Sequence, residues 1–164
     1  MTRLALTLWP EWAWAICNLG KDVENRDWKR DDMIGQWLCI HAGKHIGGRP
    51  GRTAELEGWD SLACVAGLVG KDLADYTESD SAIRPAVSAI VAVCKVGGFL
   101  HGPPVGWYMG APGYGWQLRD VRALARPVPC KGAQGLWPLP PDVLAAVREQ
   151  LSIPSRSAAA KGVG

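Results

Sequence analysis

The sequence predicts an α+β domain in which a small, curved sheet or open barrel carries two or three flanking helices. Several short apolar and β-branched runs alternate with two or three stretches of helical periodicity. Turns rich in glycine and proline follow one another closely, which favours a small curved sheet over a doubly wound one. The length of 164 residues fits one domain with a sizeable core. We therefore expect a single domain over residues 1–154 and a disordered small-residue tail over residues 155–164.

The first third of the chain predicts a strand, a helix and a second strand. Leu4–Leu8 alternates apolar residues with small or polar ones, as a half-buried strand does. Pro10 suits the first turn of a helix, and Glu11–Leu19 places apolar side chains on one helical face. Gly20 stands where a helix-ending glycine belongs. Gln36–Ala42 is rich in strand-forming residues and is followed by another glycine.

The middle of the chain predicts a long helix and a buried strand. Thr53 is expected to cap a helix that reaches about Leu73, with Leu56, Leu62, Val65, Ala66 and Val69 as its apolar stripe. The nearly continuous apolar run 86–96 predicts a strand that is buried on both faces and ends at Gly97 and Gly98.

The last third predicts a loop, three short extended pieces and a final helix. The loop, residues 102–115, carries Trp107, Tyr108 and Tyr114, which favours a mobile lid or a stacking flap. Extended pieces are expected at residues 116–118, 121–127 and 136–139, and a helix at residues 141–151 with proline in its first turn.

Charge and cysteine usage exclude several classes of protein. A net charge of only +2 and a pI of about 8.3 do not predict strong non-specific binding to duplex DNA, so any nucleic-acid site must be a local patch. Five cysteines at irregular spacing form no CxxC pair, which argues against zinc and for a reducing, cytoplasmic compartment. No apolar run is long enough to span a bilayer, and the N-terminus lacks the pattern of a signal peptide. We expect no metal and no organic cofactor.

The segment from Lys21 to Trp28, expected to be extended or irregular, concentrates the groups that could bind a ligand. If it is extended, Val23 faces inward while Glu24 and Arg26 face the opposite side. A glutamate there could accept hydrogen bonds from an amine or a ribose hydroxyl, and an arginine could hold a phosphate or stack on a base. The alternative is that the charges form a structural ion pair that fixes the segment, or that Lys21 only complements a helix end.

Three further side chains near this segment have both a binding and a structural interpretation. Trp28 could form a stacking wall, although most single tryptophans belong to the core. His41 ends a strand, where a lone histidine is more often a satisfied structural group than a catalyst or ligand. Gly43 and Lys44 follow it and suit a phosphate contact, or else a glycine turn with a solvated lysine.

Five blocks of sequence together resemble the ASCH domain family of the PUA-like superfamily. They are Pro10–Trp14, Gly20-Lys21-Asp22-Val23-Glu24-Asn25-Arg26-Asp27-Trp28, residues 35–44 (GQWLCIHAGK), residues 115–121 (GWQLRDV) and residues 127–137 (PVPCKGAQGLW). They run in the family's order and are spread over most of residues 4–151. The resemblance implies a β-barrel-like fold with a cleft between barrel and helices. It also implies binding of RNA, or of single-stranded or modified bases, in that cleft.

Two classes of function follow from the resemblance and the residues together. In the first, the protein binds RNA, single-stranded nucleic acid or a nucleoside, through Lys21, Glu24, Asn25, Arg26, Trp28, His41 and Lys44. In the second it is a hydrolase, with Lys21 and Glu24 as the expected catalytic residues. It is either an amidohydrolase of N4-acylated cytidine nucleosides, or a ribonuclease with Lys21, His41 and Arg26 around the scissile phosphate. The amidohydrolase relatives have a Lys-x-x-Thr pattern, and this chain has Glu24 where the threonine hydroxyl would be. The hydroxyl nucleophile is therefore missing at that position, which counts against the amidohydrolase.

Overall fold

A curled sheet of six strands forms a half-barrel at the centre of the computed structural model, which describes residues 3–76 and 85–152. The strands are β1 (Leu4–Leu8), β2 (Val23–Arg26), β3 (Trp37–Ala42), β4 (Ala89–Leu100), β5 (Tyr114–Pro129) and β6 (Leu136–Pro138). The helices in the described residues are α1 (Pro10–Asn18), α2 (Arg52–Leu68) and α3 (Pro141–Ser152). The predicted α+β class and the curved sheet with flanking helices are thus confirmed. The expected tail, residues 155–164, lies outside the described residues.

The parallel pairing of β1 with β3 brings the C-terminal ends of these two strands to the same edge of the sheet. The strand order is β2-β5-β4-β3-β1-β6, and β1 pairs with β3 in parallel while the other neighbours are antiparallel. The parallel register places Thr7 beside His41 and Leu8 beside Ala42. The C-terminal ends of β1 and β3 therefore open onto the same edge of the half-barrel, and the polar residues that follow both strands come together there.

Alternation along the strands sorts the core onto the two faces of the sheet. Leu6 and Ile40 pack on one face against Ala13 and Ile16 of α1. Ala5, Cys39 and Val93 point to the other face, where Trp137 and the α3 residues Val143 and Val147 cover them. Both faces of the central strands are buried, as the apolar run of β4 predicts.

The elements with strong local signals begin and end close to the predicted positions. Helix α1 starts at Pro10 and ends one residue before Leu19, whose N–H bonds to the carbonyl of Ala15, and Gly20 follows with φ +67°. This geometry matches a glycine that ends a helix. Strands β1, β3 and β6 and helix α3 also lie where the pattern places them.

The two long strands correct two predictions. Strand β4 does not end at Gly97 and Gly98 but runs on to Leu100, because the register against β5 shifts between Val96 and Gly98 and absorbs the glycine pair as an irregularity. The two expected strands at 116–118 and 121–127 are one strand, β5, in which Asp120 adopts φ +50°. A second shift in pairing, between Val93 and Lys95, accommodates that residue without ending the strand.

Helix α2 also departs from its prediction at both ends. It begins at Arg52, with Gly51 as its N-cap, so Thr53 does not cap it. It ends at Leu68 rather than near Leu73, and Gly70 follows with φ +74°. Leu62 and Ala66 of the expected stripe are buried, but Leu56 is exposed, so the apolar face is narrower than expected.

The loop between β4 and β5 does not expose its aromatic residues as expected. Trp107 and Tyr108 are buried against Ala15 and Leu62 in a third cluster that joins α1 and α2. The Tyr108 hydroxyl donates to the carbonyl of Gly113 at 2.7 Å and fixes the loop internally. The interpretation of these two rings as a mobile lid or stacking flap is therefore wrong.

The described part of the chain contains neither a candidate membrane-spanning helix nor a disulfide bond. Over residues 3–76 and 85–152, none of the helices combines the length and the apolarity that crossing a bilayer requires. All five cysteines lie within these ranges, and each is a free thiol.

Candidate functional site

A groove of about 870 Å³ opens where β1 and β3 end, and we call it the strand-end groove. Thr7 and His41 come from the ends of the two parallel strands, and Arg26 and Trp28 come from β2 and the segment after it. The remaining lining residues come mainly from the turns after β1 and β3 and from the connection between β5 and β6; they are Leu8, Trp9, Asp27, Gly43, Lys44, His45, Gly48, Ser88, Lys131, Gly132, Ala133, Gln134 and Gly135. The volume lies within the range of small-molecule binding sites.

Three charged side chains form a continuous ion-pair chain that ends at this groove. Nζ of Lys21 lies 2.8 Å from Oε2 of Glu24, and Nε of Arg26 lies 3.2 Å from Oε1 of the same carboxylate. The Arg26 guanidinium also donates to the carbonyl of Thr7 at 2.6 Å. Glu24 and Arg26 therefore share one face of β2, as alternation predicts, and Arg26 is fixed at the end of β1.

Lys21 and Glu24 lie deeper than the groove surface. Lys21 is 2% exposed and Glu24 is 8% exposed, and neither lines the groove. The Lys21 ammonium donates to the Val23 carbonyl at 2.5 Å as well as to Glu24, and it stands 5.7 Å from the ring centre of Trp12. Of the three charged residues, only Arg26 can contact a ligand in the groove without a rearrangement.

Asn25 lies on the opposite face of β2, and its side chain contacts the β4–β5 loop. Its side-chain Nδ2 donates to the Trp107 carbonyl at 2.9 Å, and its Oδ1 accepts from the Met109 N–H at 2.8 Å. The amide thus pairs with the backbone of the β4–β5 loop in both directions. Asn25 does not line the strand-end groove.

Two tryptophans present surface to the groove. Trp28 is half-buried, and its ring meets that of Trp116 edge-on with centroids 5.0 Å apart. The indole N–H of Trp116 donates to the Trp28 carbonyl at 2.9 Å, which holds this segment in place. Trp9, between β1 and α1, is 48% exposed. One fixed and one exposed indole therefore border the same opening.

His41 forms part of the floor and is 1% exposed. Its Nε2 lies 3.0 Å from the Cys130 carbonyl, and since a carbonyl can only accept, Nε2 carries the proton. Nδ1 has no hydrogen-bond partner among the described residues, and a Cβ built on Gly132 would lie 2.6 Å from it. Burial lowers the pKa of His41, and the bond to Cys130 opposes this in part. The imidazole is therefore a neutral ring packed under the Gly132 backbone.

Positive charge exceeds negative charge around the opening. Arg26, Lys44 and Lys131 line the groove, and Asp27 is the one carboxylate among its lining residues within the described ranges. Lys44 and Lys131 are both exposed. A ligand in the groove would meet a locally cationic surface although the whole chain has a net charge of only +2.

Glu11 is a buried carboxylate beside the groove that sequence reasoning did not select. It is fully buried, and its Oε1 accepts from the Gly47 N–H at 2.9 Å, while Oε2 has no partner among the described residues. Burial raises the pKa of Glu11, against the smaller effect of its backbone hydrogen bonds. Its contact fixes α1 to the turn Ile46–Gly48, directly after Lys44 and His45.

Sequence reasoning also missed Trp9, Thr7 and Lys131 as groove residues. Their place in the groove depends on the pairing of β1 with β3 and β6, so no local pattern could have found them. Within the described ranges, no group of three His, Cys, Asp or Glu side chains is arranged to hold a metal ion.

Solved structures with the same arrangement of strands and helices identify the fold. The ASCH protein of Zymomonas mobilis superposes with a TM-score of 0.51 at 13% identity, over 90% of this chain and 94% of the other. Two single-substitution variants of that protein each give a TM-score of 0.50, at 15% and 13% identity, over 91% and 90% of this chain and 98% and 94% of theirs. The chain has an ASCH-like fold.

The ASCH-like fold is established by structure and not by sequence. No protein-family model matches the chain, and no curated protein matches it. Identities of 13–15% show the fold alone, so the chemistry of this ASCH-like protein must be argued from its own groove.

Proposed function

We propose that this protein binds RNA, or a single-stranded or modified nucleobase, in the strand-end groove. The observation that carries the proposal is the meeting of three cations, Arg26, Lys44 and Lys131, with the two indoles Trp9 and Trp28 around one opening. Single-stranded nucleic acids are recognised by such combinations, because bases stack on aromatic faces while cations neutralise the phosphates.

The side chains differ in how firmly they are held, and this suggests separate roles. Arg26 is held by Glu24 and by the Thr7 carbonyl, so its guanidinium is presented in a fixed direction. A fixed arginine suits a defined contact with a base edge or a phosphate. Lys44 and Lys131 are exposed and suit adjustable contacts with the backbone of a strand.

The hydrolase alternatives have less support than binding. The Lys21 ammonium already donates to two acceptors, and the Glu24 carboxylate is already paired with the two cations Lys21 and Arg26, so both groups are engaged in contacts within the protein. The unpartnered nitrogen of His41 lies under Gly132 rather than at an open surface. These contacts favour a binding protein in which Lys21 and Glu24 hold Arg26 in place.

Binding can be tested by the fluorescence anisotropy of a labelled single-stranded RNA of mixed sequence. We expect Lys44→Ala/Lys131→Ala to weaken binding and to lower the salt dependence of log K by about 1.4, since each phosphate contact on a single strand contributes about 0.7. Lys71→Ala is the control, because Lys71 is exposed and does not line this groove. If the parent protein binds no RNA and no nucleoside, the proposal is wrong.

Catalysis can be tested in the same samples. The protein is incubated with N4-acetylcytidine and, separately, with single-stranded RNA, and the products are separated by chromatography. We expect both substrates to remain intact. Release of cytidine would establish the amidohydrolase, and RNA fragments would establish the ribonuclease.

A further inference from the structure

A second groove, of about 810 Å³, lies beside the first, and we call it the α2 groove. The turn after β3 and about the first two turns of α2 form most of its walls. Its lining residues are Lys44, His45, Ile46, Arg49, Gly51, Arg52, Glu55, Leu56, Trp59, Leu73 and Val87.

The two grooves are adjacent and share part of their lining. Lys44 and His45 line both of them, so these two residues form the ridge between the openings. The contact of Glu11 with Gly47 fixes the turn directly after this ridge. A flexible chain that lies in the strand-end groove and passes Lys44 therefore enters the α2 groove next.

The α2 groove carries its own positive charge. Arg49 and Arg52 are exposed and add to Lys44, whereas Glu55 is its one carboxylate among the described lining residues. Over residues 3–76 and 85–152, none of these three cations belongs to an ion pair. Gly51 and Arg52, at the N-terminus of α2, line this groove, so the positive end of the helix dipole adds to the same potential.

An apolar surface lies between these charges. Trp59 is half-buried, and its ring meets Trp14 edge-on with centroids 6.0 Å apart. Leu56 and Val87 are exposed beside it. A flat apolar ring could rest on this surface while an anionic backbone contacts the arginines. The same combination of aromatic surface and cations surrounds the strand-end groove at Trp9, Trp28 and Lys131.

We propose that the α2 groove is a second subsite that binds the continuation of the RNA strand held in the strand-end groove. Lys44 and His45 would contact the phosphate between the two subsites, Arg49 and Arg52 would contact the next phosphates, and Trp59 would support a base. The inference rests on the proposed function and makes it more specific, because the ligand is then a strand of several nucleotides and not a single nucleoside.

The length of the RNA provides the test. Binding of a labelled trinucleotide and of an RNA of about 10 nucleotides, within the usual site size of single-strand binders, is measured between about 50 and 200 mM KCl. For the parent protein we expect the longer RNA to bind more tightly and with a steeper salt dependence. Arg49→Ala/Arg52→Ala should weaken the longer RNA about tenfold at physiological salt and lower its salt slope by about 1.4, while leaving the trinucleotide unchanged.

Arg119→Ala/Arg148→Ala is the matched control. It removes the same charge from exposed positions that line neither groove, so it should leave both RNAs bound as in the parent. Thermal unfolding of all three proteins checks that the fold is retained.

Three results would overturn the inference. If both double variants weaken the longer RNA equally, only net charge matters and there is no second subsite. If the parent binds the trinucleotide and the longer RNA alike, the strand-end groove stands alone and the proposed function survives without the inference. If Arg49→Ala/Arg52→Ala leaves RNA binding unchanged but abolishes binding of a poly-glutamate peptide, the α2 groove binds an acidic polypeptide instead.

Discussion

Nζ of Lys21 lies 2.8 Å from Oε2 of Glu24 in a pair that is almost wholly buried beneath Trp12. The same carboxylate holds Nε of Arg26 at the edge of the groove. The lysine therefore acts on the groove through two intermediates, by fixing the glutamate that fixes the arginine. Removing the Lys21 charge should therefore lower the stability of the fold before it affects a ligand in the groove directly.

Lys21→Met tests this relationship. Methionine retains most of the apolar stem but removes the charge, so Glu24 loses one of its two cations in a buried site. We expect the free energy of unfolding to fall by about 3 kcal/mol, as measured by urea denaturation near neutral pH. Lys21→Met/Glu24→Gln should recover part of the loss, because the buried carboxylate charge is removed and the charge left without its partner, on Arg26, is partly exposed to solvent. A variant as stable as the parent that no longer binds RNA would instead place Lys21 in direct contact with the ligand.

Asn25→Ala should loosen the loop between β4 and β5. The substitution removes both side-chain hydrogen bonds, to the Trp107 carbonyl and from the Met109 N–H. At about 1 kcal/mol for each bond, we expect a loss of about 2 kcal/mol in the free energy of unfolding. Limited proteolysis should also cut faster within residues 102–113.

Asn18→Ala is the control for the asparagine, because it removes one exposed bond to the Trp14 carbonyl at the end of α1. If Asn25→Ala weakened RNA binding while leaving loop proteolysis unchanged, Asn25 would be a ligand contact, as the sequence prediction proposed, and not a support for the loop.

Two glycines in α2 should respond to alanine with opposite signs. A Cβ on Gly58 would lie 2.5 Å from Oε1 of Glu11 and 2.8 Å from the Gly47 nitrogen, which is too close for the buried contact to survive. A Cβ on Gly67 meets nothing within 4 Å. We expect Gly58→Ala to cost about 1–3 kcal/mol through overpacking, and Gly67→Ala to gain about 0.5–1 kcal/mol through helix propensity.

Thermal unfolding of the two glycine variants provides the comparison within one helix. If both variants shifted the unfolding temperature equally and in the same direction, close packing of α2 against the Glu11–Gly47 contact would not contribute to stability.

His41→Gln should change how stability depends on pH. Burial lowers the pKa of His41, so below the ordinary histidine pKa the unfolded chain takes up a proton that the folded protein refuses. Stability of the parent therefore falls as pH drops from the ordinary value toward the lowered one, and levels off below it. Glutamine can still donate to the Cys130 carbonyl but does not titrate, so the variant should show a flatter profile in this window.

Urea denaturation over a series of pH values measures the effect. His101→Gln is the control, since it removes an imidazole that is exposed and stacked on Tyr114. If the free energy of unfolding of His41→Gln depended on pH as steeply as that of the parent, the dependence would have to come from another titrating group.

Local patterns were sufficient for much of the fold. Pro10 and Gly20 begin and end α1 through their own backbone preferences, and alternation in β2 places Glu24 and Arg26 on one face. Such signals act within a few residues, and the sequence carries them completely. The end of β4 did not follow its glycines, because its pairing with β5, and not the glycine pair itself, decides whether the strand continues.

The groove needed information that no short stretch contains. Thr7 Oγ1 accepts from the indole N–H of Trp137, 130 positions later, and this pairing brings the 131–135 connection over His41. Lys131 and Trp9 became groove residues only through that long-range register. The burial of Trp107 and Tyr108 could not be predicted from their own segment, because it depends on packing in a cluster with Ala15 and Leu62, which are distant in the sequence.

The two outermost strands of the sheet have a consequence for how this protein can meet others. β2 has four residues and β6 has three, and β6 ends at Pro138, which has no N–H to offer. Neither edge strand is long enough to offer a second peptide many free backbone N–H and C=O groups for pairing. Association by strand addition is therefore disfavoured on both sides, and recognition is left to side chains at the rim and on the helices.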